Sequence, residues 1–306
     1  MLSENKPDSI KHLKKAIEIA SIIFKEDGYI PTKKIDEKFD MYNENIMIYG
    51  NTVGDAIETL EKYLGKNVFE AKPRLGYRLK PQYRKNLEWM HPLLSTYLSL
   101  IELDSLNYPV ESITYHLEAK ALYNLYMLHY ARNQKKTIKF EYVKNLETTP
   151  KRKNINVYSI ILRGKLYIIG LDTDINEVRL YTFTQIKDVL EIDPYSSFEP
   201  PPQKYLSQYF KDSLISHEGS EPEEVLIRFE KRAEVYVQKE FFHSSQEFYH
   251  DENGNFFLKM FINRRGELFA LLGRFMNVAE LIKPTNWREE YIKDIQAALA
   301  LHNNKT

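Results

Sequence analysis

The chain has no cysteine among its 306 residues. That absence removes disulfides, zinc–thiolate sites, iron–sulfur clusters and a cysteine nucleophile together. It has no excess of charge either, with 43 Lys and Arg against 43 Asp and Glu. A uniformly basic nucleic-acid binder is therefore excluded, whereas local patches are not. No run approaches the roughly 18 consecutive apolar residues that would span a bilayer. The N-terminal segment lacks the basic start, apolar run and small-residue cleavage site of a signal peptide. These absences lead to the expectation of a cytoplasmic protein that does not enter a membrane.

What is present is ordinary for a folded chain: 43% hydrophobic and 28% charged residues. At roughly 100–200 residues per domain, two or three domains are expected. Tyrosine is abundant, with 22 Tyr against 16 Phe, and its flat face and polar tip suit cores and wet interfaces alike.

Helical spacing of Ile10, Leu13, Ile17, Ala20, Ile23 and Phe24 predicts a first helix over 8–27, with Asp8 as cap and Gly28 as stop. A short second helix is expected over 32–38. A third over 51–64 carries a stripe of Val53, Ala56, Ile57, Leu60 and Leu64. Two short extended segments follow, 68–71 and 76–79, around Lys72–Pro73–Arg74–Leu75. Three helices and a hairpin outline a winged helix-turn-helix, whose third helix would enter a DNA major groove. Lys33, Lys34, Asn51, Thr52, Lys62, Lys72, Arg74 and Arg78 are the candidate contacts to double-stranded DNA. Cations there displace counterions from phosphate. Asp55, Glu58 and Glu61 on the third helix repel phosphate, and a solvated helical bundle is the plain alternative.

Residues 85–131 read as an aromatic helical connector, broken at Asp104–Pro109 and resuming with Ile113, Leu117, Ala121, Leu125 and Leu128. Short segments over 137–193, rich in Ile, Tyr, Val and Thr, predict a small antiparallel sheet or barrel, with Arg163–Gly164–Lys165 as its tightest turn. Thr149–Asn154 is expected to be a mobile loop. Between 132 and 165, ten basic residues face only Glu141 and Glu147, a local balance of +8. Tyr142, Tyr158, Tyr167 and Tyr181 interleave with these cations. Aromatic faces stack bases while cations track the backbone, the general scheme for single-stranded nucleic acid. A triple proline at 200–202 marks a linker, 203–220 reads as a poorly packed helix and loop, and 222–302 mixes strands with helices.

Catalytic signatures are missing: no Gly-x-Ser-x-Gly elbow, no His-Glu-x-x-His, no phosphate loop and no dinucleotide fingerprint. The eight His are scattered, and His243 is assigned a structural role. Asp172 and Asp174 are read as turn residues rather than a metal pair. No enzyme, cofactor or metal is expected.

The segment from Val157 to Ile186 resembles the WYL-domain family of bacterial transcription regulators. Leu166–Tyr167–Ile168 occupies the naming tripeptide and keeps its Tyr. Gly170–Leu171–Asp172 follows, and Arg179, Tyr181, Phe183 and Ile186 fit the last element. Thr182 and Gln185 stand where the family often has further arginines. Residues 8–80 resemble the family's winged helix down to Gly76–Tyr77–Arg78–Leu79. The stretches Phe242–Gln246, Asp251–Gly254, Glu267–Phe269 and Leu281–Pro284 resemble its C-terminal extension domain.

The resemblance implies a multidomain α+β fold. Its parts are a winged helix-turn-helix (1–84), a helical connector (85–131), an SH3/Sm-like WYL β-barrel (132–198), a linker (199–221) and a C-terminal α/β, ferredoxin-like domain (222–306). It implies a DNA-binding transcription regulator, controlled by a single-stranded oligonucleotide or nucleotide effector. Tyr167 and Arg179 carry over as effector contacts. The interleaved cations and aromatics add Tyr158, Ser159, Arg163, Lys165 and Tyr181, and Arg264, Arg265 and Arg274 are placed on the same ligand. A homodimer reading paired half-sites is expected, with the aromatic connector as dimer or relay element. The alternative is a nucleic-acid-sensing accessory protein whose winged helix contacts protein, and a nuclease-associated accessory role is a lesser one.

Overall fold

The computed structural model describes residues 6–42, 52–85, 87–101, 118–144, 148–163, 165–202 and 221–303. Asn51, the Asp104–Pro109 break, Ile113, Leu117, Gly164 and the expected helix and loop at 203–220 lie outside the described residues. The chain divides into two compact units, residues 1–200 and 201–306.

The first unit opens with helices α1 (Lys6–Lys25), α2 (Thr32–Tyr42) and α3 (Thr52–Leu64), then strands β1 (Phe69–Lys72) and β2 (Gly76–Leu79). Helix α4 (Pro81–Lys85), a 3-10 turn at Glu88–Met90, α5 (His91–Leu100) and α6 (Ala121–Asn133) follow. Every residue of α1 from Ala16 to Phe24 is buried. A helix buried all round sits at the centre of a unit rather than on its surface. Ser21 fits there because its hydroxyl donates to the Glu18 carbonyl at 2.6 Å. Helix α6 is likewise buried from Ala121 to His129. Its Asn124 is satisfied by accepting the Val189 N–H at 3.1 Å. One continuous core therefore runs from α1 through the winged helix and α5 into the sheet that follows.

That sheet comprises β3 (Thr137–Tyr142), β4 (Lys151–Arg163), β5 (Lys165–Asp172), β6 (Glu177–Thr182) and β7 (Ile186–Ile192). It is antiparallel, in the order β6-β5-β4-β3-β7. Two expectations are corrected here. The barrel is not closed: no ladder joins edge strands β6 and β7 among the described residues. The sheet nevertheless curls strongly. Three strand steps would separate β6 from β3 by about 14 Å in a flat sheet, yet the Tyr181 and Tyr142 ring centroids are 5.0 Å apart. Bulges bend it, at Lys139/Phe140 and Glu141/Tyr142 against β7 and at Val157/Ser159 against β5. Gly170 allows the close approach at the last of these. A Cβ there would lie 2.5 Å from the Asn156 carbonyl oxygen. The second correction concerns Thr149–Asn154: Lys151–Asn154 is paired strand, opposite Tyr142–Lys139. Exposed charged side chains at Lys151 and Arg152 made the end of an inner-strand ladder look like a loop.

The second unit runs β8 (Glu223–Phe229), α7 (Lys231–Val237), β9 (Glu247–His250), β10 (Phe256–Ile262), α8 (Arg265–Arg274), β11 (Ala279–Lys283) and α9 (Thr285–Asn303). Strand β9 is not anticipated by the sequence pattern. The connectivity is β-α-β-β-α-β and the antiparallel order β11-β8-β10-β9, a split βαβ arrangement. Val225, Ile227, Phe256, Leu258, Met260 and Ile262 alternate onto one face and form a separate core with α7 and α8 residues.

Candidate nucleic-acid interface

The wing is built on a position only glycine can fill. Gly76 has φ +91°, and a Cβ on it would sit 2.0 Å from the Ile30 carbonyl oxygen. Ile30 and Tyr77 exchange backbone hydrogen bonds at 2.8 and 3.0 Å, so the segment between α1 and α2 braces β2. The Leu75 N–H donates to the Lys72 carbonyl at 3.1 Å, closing a turn that leaves Lys72, Pro73, Arg74 and Leu75 exposed. Lys33 and Lys34 are exposed in the first turn of α2, Thr52 is half-buried at the start of α3, and Lys62 is exposed at its end. The α3 start lies beside β2: a Cβ on Gly54 would be 3.9 Å from the Tyr77 hydroxyl.

Arg78 is placed differently from a phosphate contact. Its Nε donates to Glu70 Oε2 at 2.8 Å, and its guanidinium lies 4.5 Å from the Tyr29 ring centroid. The Tyr29 hydroxyl donates to Glu70. The hydrogen bonds from Tyr29 and Arg78 hold the Glu70 carboxyl below the usual carboxylate range. Arg78 thus stiffens the wing from its side. On α3, Asp55 and Glu58 are exposed, whereas Glu61 accepts the Phe69 N–H at 3.0 Å and helps anchor β1.

Within the five-stranded sheet, pleating sorts the effector candidates. Arg179 lies opposite Gly170 and Tyr181 opposite Ile168, whereas Tyr167 lies opposite Thr182. Tyr167 and Arg179 therefore project from opposite faces, and one ligand on one face cannot meet both. Tyr167, Ser159 and Tyr181 are buried. The Tyr158 ring is half-buried, 5.8 Å from that of Phe198. Lys165 is exposed, and Arg179 is paired with Glu177. The Arg163 side chain lies outside the described residues. Arg264 pairs with Glu267 at 3.5 Å, Arg265 with Glu290 at 2.6 Å and Arg274 with Glu240 at 2.7 Å, all within the second unit.

Part of the basic stretch of the sequence is compensated in space. Lys135 meets Glu199 at 2.8 Å, Lys139 meets Glu191, and Lys153 meets Asp172 at 2.8 Å. The acidic segment that follows it in sequence folds against it.

Asp172 is the residue the turn reading misses. It is fully buried and accepts hydrogen bonds from Lys153 Nζ and the Tyr181 hydroxyl, each at 2.8 Å. Burial opposes its charge, but those two bonds and the Lys153 charge outweigh burial and hold the carboxyl below its ordinary value. Burial and the bond to Asp172 push the Tyr181 phenol up. Asp174 does occupy the turn, accepting the Asn154 side-chain N–H at 2.8 Å. The bulky tyrosines partnering this network were visible in sequence, but their pairing across β5 and β6 was not.

The aromatic connector is an internal element where it is described: Trp89, Tyr97, Tyr123 and Tyr126 are buried. No group of three or more His, Asp or Glu suited to a metal occurs among the described residues. His243 is buried with Nδ1 2.7 Å from Ser245 Oγ, and His250 pairs with Glu234 at 3.0 Å. No described helix is long and apolar enough to cross a membrane.

No protein-family model matches the chain, and no curated protein does. Among solved structures it is similar to proteasome accessory factor B/C (PafBC) of Arthrobacter aurescens, at 14% identity and a TM-score of 0.28, over 96% of this chain and 48% of that one. The chain thus spans about half the length of PafBC. It is also similar to a CRISPR Cas-related protein, at 10% identity and a TM-score of 0.43, over 100% of this chain and 89% of that one. TM-scores this low carry neither fold nor function across.

Proposed function

We propose that the protein is a DNA-binding transcription regulator that acts as a cytoplasmic homodimer. The observation that supports this best is the wing: an exposed Lys72–Arg74 turn on a hairpin locked by Gly76, Ile30 and Arg78. A rigid cationic turn beside the start of α3 is suited to a phosphate backbone flanking a major groove. The shared core of α1, α6 and the five-stranded sheet supports coupling to an effector, because the winged helix cannot shift without repacking the sheet's helix. The effector would be an oligonucleotide or nucleotide, met on the sheet face that carries Arg179. The proposal includes no catalytic step.

Exposed Asp55 and Glu58 favour a second reading, in which α3 contacts a basic protein surface instead of bases. Fluorescence polarisation on duplexes from the gene's own upstream region separates the two. The regulator reading expects sequence-dependent binding whose log–log salt slope shrinks by about 2 in the Lys72→Gln/Arg74→Gln variant. Binding that is absent at low salt, or indifferent to both substitutions, sinks it.

A further inference from the structure

In the second unit the core lies on one face of the sheet. Val225, Ile227, Phe256, Leu258, Met260 and Ile262 pack with residues of α7 and α8, so the residues between them in β8 and β10 turn to the other side. Strand β9 follows the same alternation: Phe248 stacks on Phe256 against the core, and Tyr249 faces away. A sheet face left to water ordinarily carries polar side chains. This one carries three rings, Tyr249, Phe257 and Phe261.

Tyr249 stands opposite Phe257 in the β9–β10 ladder, their rings stacked with centroids 5.4 Å apart and planes 17° apart. Phe261 lies further along β10, about 14 Å from Phe257 at the usual rise of a strand. Lys259 comes between them, its Nζ 5.5 Å from the Phe261 centroid. The rings are open to solvent: Tyr249 is 37% and Phe261 41% exposed. Cations border them in excess. Glu224 lies between Lys259 at 3.4 Å and Lys283 at 3.1 Å, and Glu280 is shared by Arg228 and Arg288. Four cations thus share two carboxylates, with Glu247 on the edge strand as a third acid.

We propose that this face binds single-stranded nucleic acid, with bases stacked on Phe261 and on the Tyr249–Phe257 pair and the backbone passing Lys259. Open aromatic rings on a four-stranded sheet stack bases in this way. The separation of the two aromatic steps selects an oligonucleotide over a mononucleotide, because one base cannot reach both. A second copy of the chain fits the face less well. Interfaces between copies centre on an apolar patch depleted of charge, and here charges interrupt the rings. The cationic excess is small, so stacking supplies most of the affinity. The site uses residues of the second unit alone and does not depend on duplex binding at the wing.

Fluorescence anisotropy of the full chain with labelled oligo-dT and oligo-rU of about 15 nucleotides tests it. At least one should bind saturably, with a log–log salt slope of about −1. Tyr249→Ala and Phe261→Ala should each weaken binding about 10-fold. Phe261→Leu should match Phe261→Ala, and Phe261→Tyr should stay near the parent. Leucine keeps apolar bulk and removes the ring, so it separates stacking from packing and serves if an alanine variant unfolds. The ring effects should persist in an Arg179→Ala background, which removes the effector contact proposed for the first unit, and Lys72→Gln/Arg74→Gln should leave affinity unchanged. No binding at high micromolar protein, full affinity in Phe261→Leu, or loss in Arg179→Ala with none in the ring variants overturns the proposal. So does a lower sedimentation mass of the ring variants with unchanged oligonucleotide affinity, which would mark the face as a contact between copies.

Discussion

The Lys25 ammonium lies 2.9 Å from Asp188 Oδ1, joining the last turn of α1 to strand β7 across 163 positions of sequence. The same nitrogen donates to the Val189 carbonyl at 2.6 Å and sits 4.7 Å from the Tyr123 ring centroid. One side chain thus ties the winged helix, α6 and the sheet together. Lys25→Ala should cost about 1–3 kcal/mol, read as a lower urea midpoint with an unchanged slope. Asp188→Asn should cost less, because the carbonyl and the ring remain. Equal loss from both would show that the carboxylate alone matters.

Glu18 makes stability pH-dependent with a definite sign. Its folded pKa of about 7 exceeds the ordinary 4.5, so its contribution is fully present below about 4.5 and is lost as pH rises through 7. His129 acts in the opposite direction, its contribution being lost as pH falls from its ordinary 6.5 towards 3. Glu18→Gln removes only the first effect. The variant should gain about 2–4 kcal/mol over the parent at pH 8 and nearly nothing at pH 4, measured by denaturant titration at both. A gain independent of pH would contradict the buried-carboxyl account.

Asp172→Ala strips the partner from a half-buried ammonium and a buried phenol. It should cost about 3–5 kcal/mol and lower the melting temperature sharply at pH 7. The deficit should shrink in acid, since the carboxyl's contribution is lost as pH falls through its lowered folded pKa. A mild effect at neutral pH would mean that Lys153 swings out to solvent.

Gly76→Ala forces an unfavourable φ and a Cβ against the Ile30 carbonyl. It should destabilise by about 2 kcal/mol or more and weaken DNA binding through the displaced wing. Gly28→Ala, with open space around its Cβ, should be close to neutral in the same thermal melt.

Local pattern carried much of the fold. The stripe of Val53, Ala56, Ile57 and Leu60 is the buried face of α3, and Phe256–Ile262 is a strand over the same residues the alternation marks. Helix α1 was legible as a helix but not as a central one. Ile19 and Ile22 fall off the expected stripe and are buried nonetheless, because α5 and α6 pack on α1 as well as α2 and α3. Strand β9 escaped because Glu247–His250 is short, polar and mostly exposed. On the candidate interface, exposure of Lys33, Lys34, Lys72 and Arg74 agrees with a charged surface, while Arg78 was indistinguishable from them until Glu70 and Tyr29 stood beside it.

The sequence by itself determined most of the helices and strands, the glycine at the wing and the lack of thiol chemistry, all set by near neighbours and composition. The zero net charge was also there to read, with its strongly basic middle stretch. Only the tertiary structure decided what that stretch meant. Lys135, Lys139 and Lys153 meet Glu199, Glu191 and Asp172 from 19 to 64 residues away. Charge balance is a property of distance in space, and the sheet brings those partners within a few ångströms.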